Sequence, residues 1–518
     1  MTRFNAIELA AAPTVVHLLA EAAARAPQRE ALVCGDERID YAGYLGAVAA
    51  FARELRELGA AGERVATLIG NSIDGCIAAL ACLAAGAQQA PLNALLTPHE
   101  LAPILADAEP LVFVVQAALA DAALPVARQV GIGHIIVVGE GARRLAVRPQ
   151  GDVAWPPLPP LPHADALALL QYTGGTTGRA KGVELTHRAI AVNVAQREAL
   201  VPTRAGDRIL CITPVAHAYG MAMGLLLALN AQGTLVIVPR YQPEVVLDLV
   251  ARERISVFLG SPTIFVGLLA QPQSAGTDWS HLHTCISGAS ALAAATLERW
   301  RALVGAPVLE GYGMTEAGPV IAFNSAGGAV KPGTVGCAVP GTEIEIVDVE
   351  SGELVLARGE RGEIRVRGPQ LMRGYRGRPD ETAAALRDGW LYTGDIGWLD
   401  DDGCLAICDR KKDMAKVGGY NVYPREVEEV LFAHPDVVDA AVFGVPDAYR
   451  GEALRACVVP RQGAGTNMGS GGDAEALRAF CAERLSRYKV PADFRFMAAL
   501  PKTAANKTDK AALRRSDR

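Results

Sequence analysis

The chain has 518 residues, half of them hydrophobic and only 5% aromatic, with a formal net charge of −6. Such a length predicts two or more domains, and the composition is typical of an α/β enzyme rich in alanine, valine and leucine. The acidic balance, without a basic run of useful length, argues against a nucleic-acid partner.

Short apolar runs alternate with helical patterns from about residue 14 to residue 400. A capping box at Thr97-Pro98-His99-Glu100 begins one of the predicted helices. Repeated strand–helix units predict parallel sheets with helices on both faces, and such sheets bind ligands at the carboxyl ends of their strands. The predicted strands lie at residues 63–70, 111–116, 134–139, 166–171, 208–213 and 234–239.

The character of the sequence changes twice after the first strands. Residues 146–163 are rich in proline and predict an extended crossing segment. Residues 341–408 contain GTEIEIVD, GELVLAR, GEIRVRG and CLAICDR between turn signals, which predicts an antiparallel β subdomain. A smaller α+β module follows. We therefore expect a large domain over residues 1–410 and a lid over residues 411–518.

No apolar run is long enough to span a bilayer, because Asn230, Gln232 and Gly233 interrupt the longest one, over residues 219–239. The N-terminus lacks the apolar core of a secretory signal. Ten scattered cysteines without a CxxC pair predict reduced thiols in a cytoplasmic protein. Peripheral association with a membrane stays open, since apolar substrates are found there.

The run YTGGTTGRAKG, at residues 172–182, holds four glycines and three threonines in eleven residues. Glycine lets backbone N–H groups point inward, threonine adds hydroxyl donors, and lysine adds a mobile charge, so this loop suits a polyphosphate. It is not a Walker loop, since Gly182 follows Lys181. Thr186 is a candidate cap for a helix that starts near Arg188. The alternative is a flexible surface loop.

Four further motifs carry chemistry. In GYGMTEAGP, at residues 311–319, Tyr312 suits stacking on an aromatic base, Thr315 offers a hydroxyl, and Glu316 is a hard ligand for Mg²⁺. In GWLYTGDIG, at residues 389–397, Asp395 suits acceptance from ribose hydroxyls. The other two, at residues 409–430 and 500–514, are rich in lysine and arginine. Each alone is compatible with a turn, a cap or solvated surface.

All five motifs in this order resemble the adenylate-forming superfamily of acyl-CoA synthetases, coumarate-type ligases, luciferases and peptide-synthetase adenylation domains, over nearly the whole chain. The resemblance implies an α/β fold. A large N-terminal domain would hold two parallel αβ sheets and a β subdomain, and the C-terminal lid would be a small, mobile α+β domain. It also implies ATP, Mg²⁺ and coenzyme A, a small carboxylic acid as substrate, and a monomer or homodimer.

The site residues that the resemblance implies fall into groups by role. The catalytic residues would be Lys507, Glu316, His217 and Thr173, with Glu316 also the metal ligand and His217 lining the acid pocket. Asp395 and Arg410 would bind the ribose, Lys412 would be the hinge, and Gly418 and Gly419 would meet the pantetheine arm. The remaining cofactor-binding residues would be Gly174, Gly175, Thr176, Thr177, Gly178, Lys181, Gly288, Ala289, Ser290, Glu310, Gly311, Tyr312, Gly313, Met314, Thr315 and Lys416.

One departure concerns the adenylation lysine. The family usually has glycine before it, and here the residue is Asn506, which tolerates a left-handed backbone better than most. Lys510 lies nearby as the alternative. Lys507 is preferred, because it keeps the spacing from Pro501-Lys502-Thr503.

The resemblance implies that an acid reacts with ATP to give an acyl-AMP and pyrophosphate, and then with coenzyme A to give a thioester. The pocket stretches at 217–224, 260–264, 287–292 and 310–319 are mostly small or apolar, which favours a medium- or long-chain fatty acid or an aryl acid. PVAHAYG offers no acid for the ammonium group of an amino acid. The alternatives are a coumarate-type ligase, an acyl-AMP ligase without the thiol step, and a nucleotide-binding relative without catalysis.

Overall fold

Two large sheets, both mostly parallel, form the body of the molecule. They are seen in a computed structural model that describes residues 12–146, 154–173, 180–288, 292–328, 330–331, 333–418, 420–447, 449–461, 471–503 and 508–516. Up to residue 200 the elements are α1 (Val15–Arg25), β1 (Glu30–Cys34), β2 (Glu37–Asp40), α2 (Tyr41–Glu57), β3 (Arg64–Leu68), α3 (Ile73–Ala85), β4 (Gln88–Leu92), α4 (Pro98–Ala108), β5 (Val112–Gln116), α5 (Ala117–Gln129), β6 (His134–Val138), β7 (Leu167–Thr173), β8 (Lys181–Thr186) and α6 (His187–Leu200).

The next part of the chain completes the larger sheet. Its elements are β9 (Arg208–Cys211), α7 (Ala218–Gly220), a π-helical turn (Met221–Leu225), α8 (Leu226–Asn230), β10 (Thr234–Ile237), α9 (Pro243–Arg252), β11 (Val257–Gly260), α10 (Pro262–Leu269), β12 (Thr284–Ser287), α11 (Ala294–Val304), β13 (Val308–Gly313), β14 (Val320–Phe323) and β15 (Cys337–Ala338). Short 3₁₀ turns cover Pro272–Gly276 and Thr315–Ala317.

The larger sheet has nine strands in the order β15-β14-β13-β12-β11-β9-β10-β1-β2. The run from β13 to β1 is parallel, and the strands beyond it at both edges are antiparallel. The smaller sheet has β18, described below, at one edge, followed by β8-β7-β4-β3-β5-β6. Since the crossovers are mostly helical, the predicted α/β class is confirmed, and the carboxyl ends of β9, β11, β12 and β13 lie along one edge.

Helix α3 shows why the two sheets pack together. Its sequence is apolar on all sides, and all but one of its thirteen residues are buried. The helix begins where the Ser72 side chain accepts the Gly75 N–H, and it ends at Gly86, whose φ of 77° is in the left-handed region that glycine tolerates. A helix buried all round belongs in the core of a large domain, and here it joins the main hydrophobic cluster.

The predicted elements of this region are confirmed, with one omission. All six predicted strands are present, and Thr97 and Glu100 form both bonds of the capping box at the start of α4. Thr186 caps α6, which begins at His187. The strand β8, with sequence KGVELT, was not predicted. It pairs antiparallel with β7, so the Gly/Thr-rich loop connects two strands of a hairpin and does not lead from a strand into a helix.

The proline-rich segment is irregular, since residues 154–163 in its described part form no helix or strand. The Trp155 ring packs directly on Gly46 of α2, where an added Cβ would lie 2.1 Å from the ring. Arg53 Nε donates to the Pro157 carbonyl at 2.9 Å. The segment is therefore held by side-chain contacts with α2, because its prolines lack the backbone N–H that a sheet requires.

The β subdomain is confirmed, but one of its expected strands is absent. It contains β16 (Glu343–Val347), β17 (Gly362–Arg367), β18 (Gly374–Tyr375), α12 (Pro379–Ala385), β19 (Leu386–Arg387), β20 (Trp390–Leu399) and β21 (Leu405–Arg410), and its sheet runs β16-β17-β20-β19 with β21 on β20. GELVLAR forms turns, with one isolated bridge at Val355. Leu354 is 64% exposed and Val355 is 50% exposed, so no buried face stabilises a strand there.

The C-terminal module has its own sheet and core. Its elements are β22 (Ala415–Val417), β23 (Tyr420–Val422), α13 (Pro424–Phe432), β24 (Val437–Asp447), β25 (Gly451–Pro460), α14 (Gly471–Ala482), a 3₁₀ turn (Arg487–Lys489), β26 (Asp493–Phe496) and α15 (Lys510–Arg515). The sheet order is β23-β22-β25-β24, with β26 parallel to β25. The α+β character is as predicted, while a domain boundary at residues 410/411 stays a prediction. No helix in the described part of the chain is long and apolar enough to cross a membrane.

His187, the first residue of α6, is buried in an unusual way. It is 0% exposed, and within the described residues neither of its ring nitrogens has a hydrogen-bond partner. Burial lowers the pKa of His187 to about 4, and the neighbouring His17 acts in the same direction. The folded state therefore holds this imidazole neutral at pH values where the unfolded chain would bind a proton.

We predict that His187→Phe reduces the acid sensitivity of folding. Because the folded pKa lies below the unfolded one, this site contributes stability that is present above about pH 6.5 and lost as the pH falls towards 4, about 3 kcal/mol in all. The variant lacks this loss, so its free energy of unfolding relative to wild type should rise as the pH falls. Denaturant titrations across this range measure the effect, with exposed His134→Gln as the control. Parallel pH profiles for wild type and His187→Phe would contradict the assignment.

Candidate active site

The Gly/Thr-rich loop is closed at its base by the hairpin of β7 and β8. Thr173, the last residue of β7, pairs across the hairpin with Lys181, the first residue of β8. Both side chains are therefore held at the mouth of the loop by backbone pairing. The predicted loop residues Gly174, Gly175, Thr176, Thr177 and Gly178 lie outside the described residues.

The carboxyl ends of three parallel strands lie side by side at the edge where the sequence predicted a pocket. Gly260 of β11, Ser287 of β12 and Glu310 of β13 are in register with one another. Gly288 continues from Ser287 and is buried, while the predicted Ala289 and Ser290 lie outside the described residues. The Ser287 hydroxyl is buried and has no hydrogen-bond partner within the described part. The predicted pocket stretches therefore meet along one edge.

His217 and Tyr219 lie over this edge. His217 precedes α7, and its Nδ1 accepts the Tyr219 N–H at 3.2 Å. The Tyr219 hydroxyl lies 3.3 Å from the carbonyls of Gly260 and Ile286, so it bridges β11 and β12. A Cβ on Gly288 would lie 2.7 Å from the Tyr219 ring, so glycine is required there for the ring to pack. The histidine therefore stands beside an aromatic wall.

Glu310 links β13 to the chain after β12. Its Oε2 accepts the Leu292 N–H at 3.1 Å, and its backbone N–H donates to the Asn324 side chain. The carboxylate is 8% exposed, and burial raises the pKa of Glu310. The Glu310 carboxylate thus holds the chain after β12 next to β13, the strand that carries the next site residues.

The glycines after Glu310 allow close packing at the end of β13. A Cβ on Gly311 would lie 2.3 Å from the Phe323 ring, and one on Gly313 would lie 1.9 Å from the Pro319 carbonyl oxygen. Met314 donates its N–H to the same carbonyl at 2.9 Å. This packing fixes the course of the chain on both sides of Tyr312.

Tyr312, Asp395 and Arg410 form a connected group. Tyr312 Oη donates to Asp395 Oδ2 at 2.6 Å, and Arg410 Nε lies 3.4 Å from Asp395 Oδ1. Asp395 of β20 and Arg410 of β21 are cross-strand partners, which keeps the two residues together. Asp395 is 7% exposed, whereas the Arg410 side chain is 53% exposed. Burial, followed by the Asp395 charge, raises the pKa of Tyr312. This group joins the nine-stranded sheet to the β subdomain.

Glu316 lies near that group, in the 3₁₀ turn that begins at Thr315. It is 7% exposed, and Tyr375 Oη donates to its Oε1 at 2.9 Å. Burial raises the pKa of Glu316, while a hydrogen bond from its own backbone N–H, the Tyr375 hydroxyl and the Arg410 charge oppose the shift. A buried carboxylate whose hydrogen-bond donors are neutral is short of positive charge. It therefore suits a hard cation that arrives with a ligand.

Lys181 lies over the ring of Tyr375. Its Nζ lies 4.9 Å from the centre of the Tyr375 ring and 2.5 Å from Glu381 Oε2 on α12. The hydrogen bond from Lys181 lowers the pKa of Glu381. The structure thus brings the lysine of the loop and the predicted metal ligand to the same tyrosine.

The predicted residues of the C-terminal module are less completely described. Lys416 Nζ lies 3.8 Å from Glu350 on the β subdomain, and Lys412 is exposed. Gly418 has a φ of 58° and donates its N–H to the Arg450 carbonyl at 2.8 Å. Gly419 and Lys507 lie outside the described residues, so their predicted roles stay predictions. The alternative, Lys510, pairs with Glu428 Oε1 at 2.7 Å and is 18% exposed.

Sequence reasoning missed Tyr375 and Glu381. Tyr375 lies 59 residues from Glu316 in a two-residue strand, and Glu381 lies in a short helix of the β subdomain. Neither has a spacing that relates it to the five motifs. The antiparallel pairing of β18 with β8 brings them to the site, and only the tertiary structure reveals that pairing.

Comparisons with known proteins agree with this arrangement. Residues 19–376 match the family described as AMP-binding enzyme, and residues 426–507 match the AMP-binding enzyme C-terminal domain. A long-chain-fatty-acid–CoA ligase of Bacillus subtilis (strain 168) is 42% identical over 352 residues, which are 68% of this chain. The match spans 62% of that relative, less than two thirds of its length.

Two other similar proteins match over nearly their whole length. A feruloyl-CoA synthase of Amycolatopsis sp is 36% identical over 494 residues, 94% of this chain and 96% of that protein. The structure of the anthranilate CoA ligase AuaEII in complex with anthranoyl-AMP is similar with a TM-score of 0.90 and 26% identity, covering 97% of each chain. The likeness therefore extends over both the body and the C-terminal module.

We predict that Asp395→Asn weakens binding of ATP about tenfold or more. The substitution removes the charge that holds Tyr312 and Arg410, and a hydrogen bond to a charged group contributes about 1.5–3 kcal/mol. Isothermal titration calorimetry with ATP in the absence of acid measures the change. Asp401→Asn, at an exposed position of the same subdomain, is the matched control. Equal affinity of Asp395→Asn and wild type would remove Asp395 from the nucleotide site.

Proposed function

The chain belongs to the AMP-binding enzyme family of adenylate-forming acid–thiol ligases, and from that premise we propose that it activates an apolar carboxylic acid with ATP and transfers the acyl group to coenzyme A. The observation that carries the proposal is the hydrogen-bonded group of Tyr312, Asp395 and Arg410 beside the buried carboxylate Glu316. An aromatic ring, a carboxylate and a guanidinium suit adenosine, and the second carboxylate suits the metal that accompanies its phosphates.

The reaction needs two steps because a carboxylate is a poor acyl donor. In the first step, a carboxylate oxygen forms a bond to the α-phosphorus of ATP, and the bond to pyrophosphate breaks. In the second, the sulfur of coenzyme A bonds to the acyl carbon, AMP leaves with the electron pair, and the thiol proton is released. Both reactants of the first step are anions, so the site must supply positive charge where they meet.

The body of the enzyme would position ATP with residues from five strands, β7, β8, β13, β20 and β21. Tyr312 would stack on the adenine, while Asp395 and Arg410 would hold the ribose hydroxyls. Thr173 and Lys181 would bind the outer phosphates at the mouth of the loop. Lys181 is neutralised by Glu381 in the structure, so the phosphates would compete with Glu381 for this lysine.

Glu316 is the residue that would hold Mg²⁺. Its side chain is buried and accepts from neutral donors, the Tyr375 hydroxyl and its own backbone N–H, and the described residues contain no cluster of three metal-ligating side chains. Mg²⁺ is commonly bound by one or two carboxylates together with substrate phosphates, which fits such a sparse donor set. When bound there, the metal supplies neutralisation of phosphate charge.

Lys507 would bring positive charge from the C-terminal module to the reacting carboxylate. The position of Lys510 supports this choice, since its amine is paired with Glu428 inside the module. For the second step the lysine must withdraw, and rotation about the exposed Lys412 would bring Gly418 and Gly419 to the thiol channel. Cytoplasmic location stays a prediction, as does the monomeric or dimeric state.

The acid we propose first is a medium- or long-chain fatty acid. The pocket edge is made of small residues such as Gly260 and Gly288, and the Bacillus relative is named as a long-chain-fatty-acid–CoA ligase. An aryl acid is the second candidate, because the Tyr219 ring forms an aromatic wall beside His217. The relative named as a feruloyl-CoA synthase and the anthranilate CoA ligase also support this second candidate.

A pyrophosphate-release assay with short, medium, long and aryl acids, each with and without coenzyme A, tests the proposal. We expect release of pyrophosphate and AMP with apolar acids, and a thioester product when the thiol is present. Glu316→Gln is the control for contaminating ligases. Acyl-AMP that accumulates without a thioester would identify an acyl-AMP ligase, and absence of AMP formation with every acid would overturn the proposal.

We predict that Lys507→Ala separates the two half-reactions. Loss of the cation should slow acyl-AMP formation about 100-fold, because electrostatic contacts made in the transition state contribute on that scale. Ready-made acyl-adenylate should still react with coenzyme A at the wild-type rate. Single-turnover measurements of each half-reaction provide the comparison, with Arg515→Ala, an exposed cation on α15, as the control.

Lys510→Ala tests the alternative within the same experiment. Because Lys510 neutralises Glu428, its loss should lower the thermal stability of the module without separating the half-reactions. If Lys510→Ala alone abolishes acyl-AMP formation while Lys507→Ala retains it, the roles of the two lysines must be exchanged.

A further inference from the structure

Two cysteines from distant parts of the sequence face each other at the junction between the nine-stranded sheet and the β subdomain. Cys337 is the first residue of β15, and Cys404 immediately precedes β21. The two form an antiparallel cross-strand pair, and their Sγ atoms are 2.7 Å apart. None of the five sequence motifs includes this pair.

The backbone around the pair holds the two thiols together. The Cys404 N–H donates to Asp400 Oδ1 at 2.8 Å, and its carbonyl accepts the Asp400 N–H at 2.9 Å. The N–H and the carbonyl of Cys404 therefore both bond to Asp400 within the same turn. Cys337 and Cys404 are thus a cross-strand pair whose two residues exchange no backbone hydrogen bonds. Side chains approach most closely in such pairs, whose typical Cα separation of about 4.5 Å falls within the range that a disulfide spans.

Backbone hydrogen bonds next to the pair fix its register. Leu405 donates its N–H to the Gly336 carbonyl, and Val335 donates to the Leu405 carbonyl, both at 2.8 Å. Lys331 adds an ion pair, with its Nζ 2.9 Å from Asp400 Oδ2. The two strands therefore cannot slide apart without breaking several contacts, and a bond between the sulfurs needs little backbone movement.

Exposure distinguishes this pair from the other thiols. All ten cysteines lie in described residues, and Cys337 alone is exposed, with Cys404 half-buried beside it. Seven of the others are buried, and Cys34 is the remaining half-buried one. Partial burial and the facing Cys337 thiol raise the pKa of Cys404, so the thiol that meets a reagent first is Cys337.

We propose that Cys337 and Cys404 form a dithiol site that closes to an intramolecular disulfide when it meets a small-molecule disulfide such as glutathione disulfide. The Cys337 thiolate attacks one sulfur of the reagent, which releases one molecule of glutathione and leaves a mixed disulfide. The Cys404 thiolate then attacks Sγ of Cys337 and releases the second glutathione. Two protein thiols are oxidised, one reagent disulfide is reduced to two thiols, and the two protons of the protein thiols pass to the two glutathione thiolates.

Closure of this disulfide would link the ends of the β subdomain. The chain between the two cysteines contains β16, β17, β20 and the carboxylate Asp395, and Arg410 lies at the far end of β21. A cross-link over a long stretch restricts the unfolded chain more than it restricts the folded one. The oxidised protein should therefore unfold at a higher temperature than the reduced protein.

The test uses the full-length protein, reduced and desalted, then equilibrated in glutathione buffers of increasing oxidised fraction. We expect loss of two titratable thiols without an added glutathione mass, a Cys337–Cys404 cross-link in non-reducing peptide maps, and an upward shift of the thermal midpoint. Cys404→Ser should instead accumulate one glutathione on Cys337. Cys337→Ser should lose no thiol to a cross-link, and Cys34→Ser should behave as wild type.

Three results would overturn the proposal. They are retention of both thiols in wild type across the buffer series, a stable glutathione adduct on Cys337 while Cys404 is present, and a disulfide that forms only between two molecules on non-reducing gels. Serine matches the size of cysteine, and equal circular dichroism spectra of reduced wild type and variants would establish that folding is unchanged.

Discussion

The hydrogen bond from Tyr312 to Asp395 is the contact on which the arrangement of the site depends. It joins β13 of the nine-stranded sheet to β20 of the β subdomain. With a length of 2.6 Å and an acceptor that is 7% exposed, it is a charge-assisted bond of the kind that contributes about 1.5–3 kcal/mol. Because Asp395 is also the cross-strand partner of Arg410, the same carboxylate fixes the last residue of β21.

The site contains charged side chains of opposite sign whose charges are not fully balanced. Glu316 is buried with neutral groups as its donors, and burial raises its pKa. Lys181, over the Tyr375 ring, is already neutralised by Glu381. A metal–polyphosphate ligand would give Glu316 a cation and Lys181 a new anion at the same time. The charge distribution of the protein alone is thus complementary to a ligand that carries both signs, which is the charge pattern of a magnesium nucleotide.

Much of the fold could be predicted from local patterns in the sequence. Buried parallel strands such as β5 are continuous apolar runs, and the Thr97–Glu100 capping box is a local interaction, so both were predictable. The strand β8 was missed because its alternation follows directly after the glycines of the loop. GELVLAR was wrongly expected to be a strand, since Leu354 and Val355 are exposed and have no sheet face to cover them.

The candidate site likewise contains residues that could be predicted from the sequence and residues that could not. Tyr312, Glu316 and Asp395 lie in motifs whose residue types indicate the chemistry of the site. The structure brings these three residues together. Tyr375 could not be predicted, because its proximity to Glu316 depends on the pairing of two strands that lie almost 200 residues apart. The sequence also offered Lys510 as the alternative to Lys507, and the structure describes an ion pair for Lys510 that bears on this choice.

Lys510 is held inside the C-terminal module by Glu428, which is 5% exposed and also accepts the Val442 N–H at 2.8 Å. If Lys510 moved to a nucleotide, Glu428 would be left as a buried carboxylate without its nearest cation. Breaking a buried ion pair by removal of one partner costs about 3–5 kcal/mol, so a lysine in that position is poorly suited to alternate between two sites. The cation that approaches during the first half-reaction and withdraws before the second should have no such buried partner. This requirement favours a lysine before α15 over the lysine that begins the helix, and it makes Lys510 a structural anchor for the segment that carries Lys507.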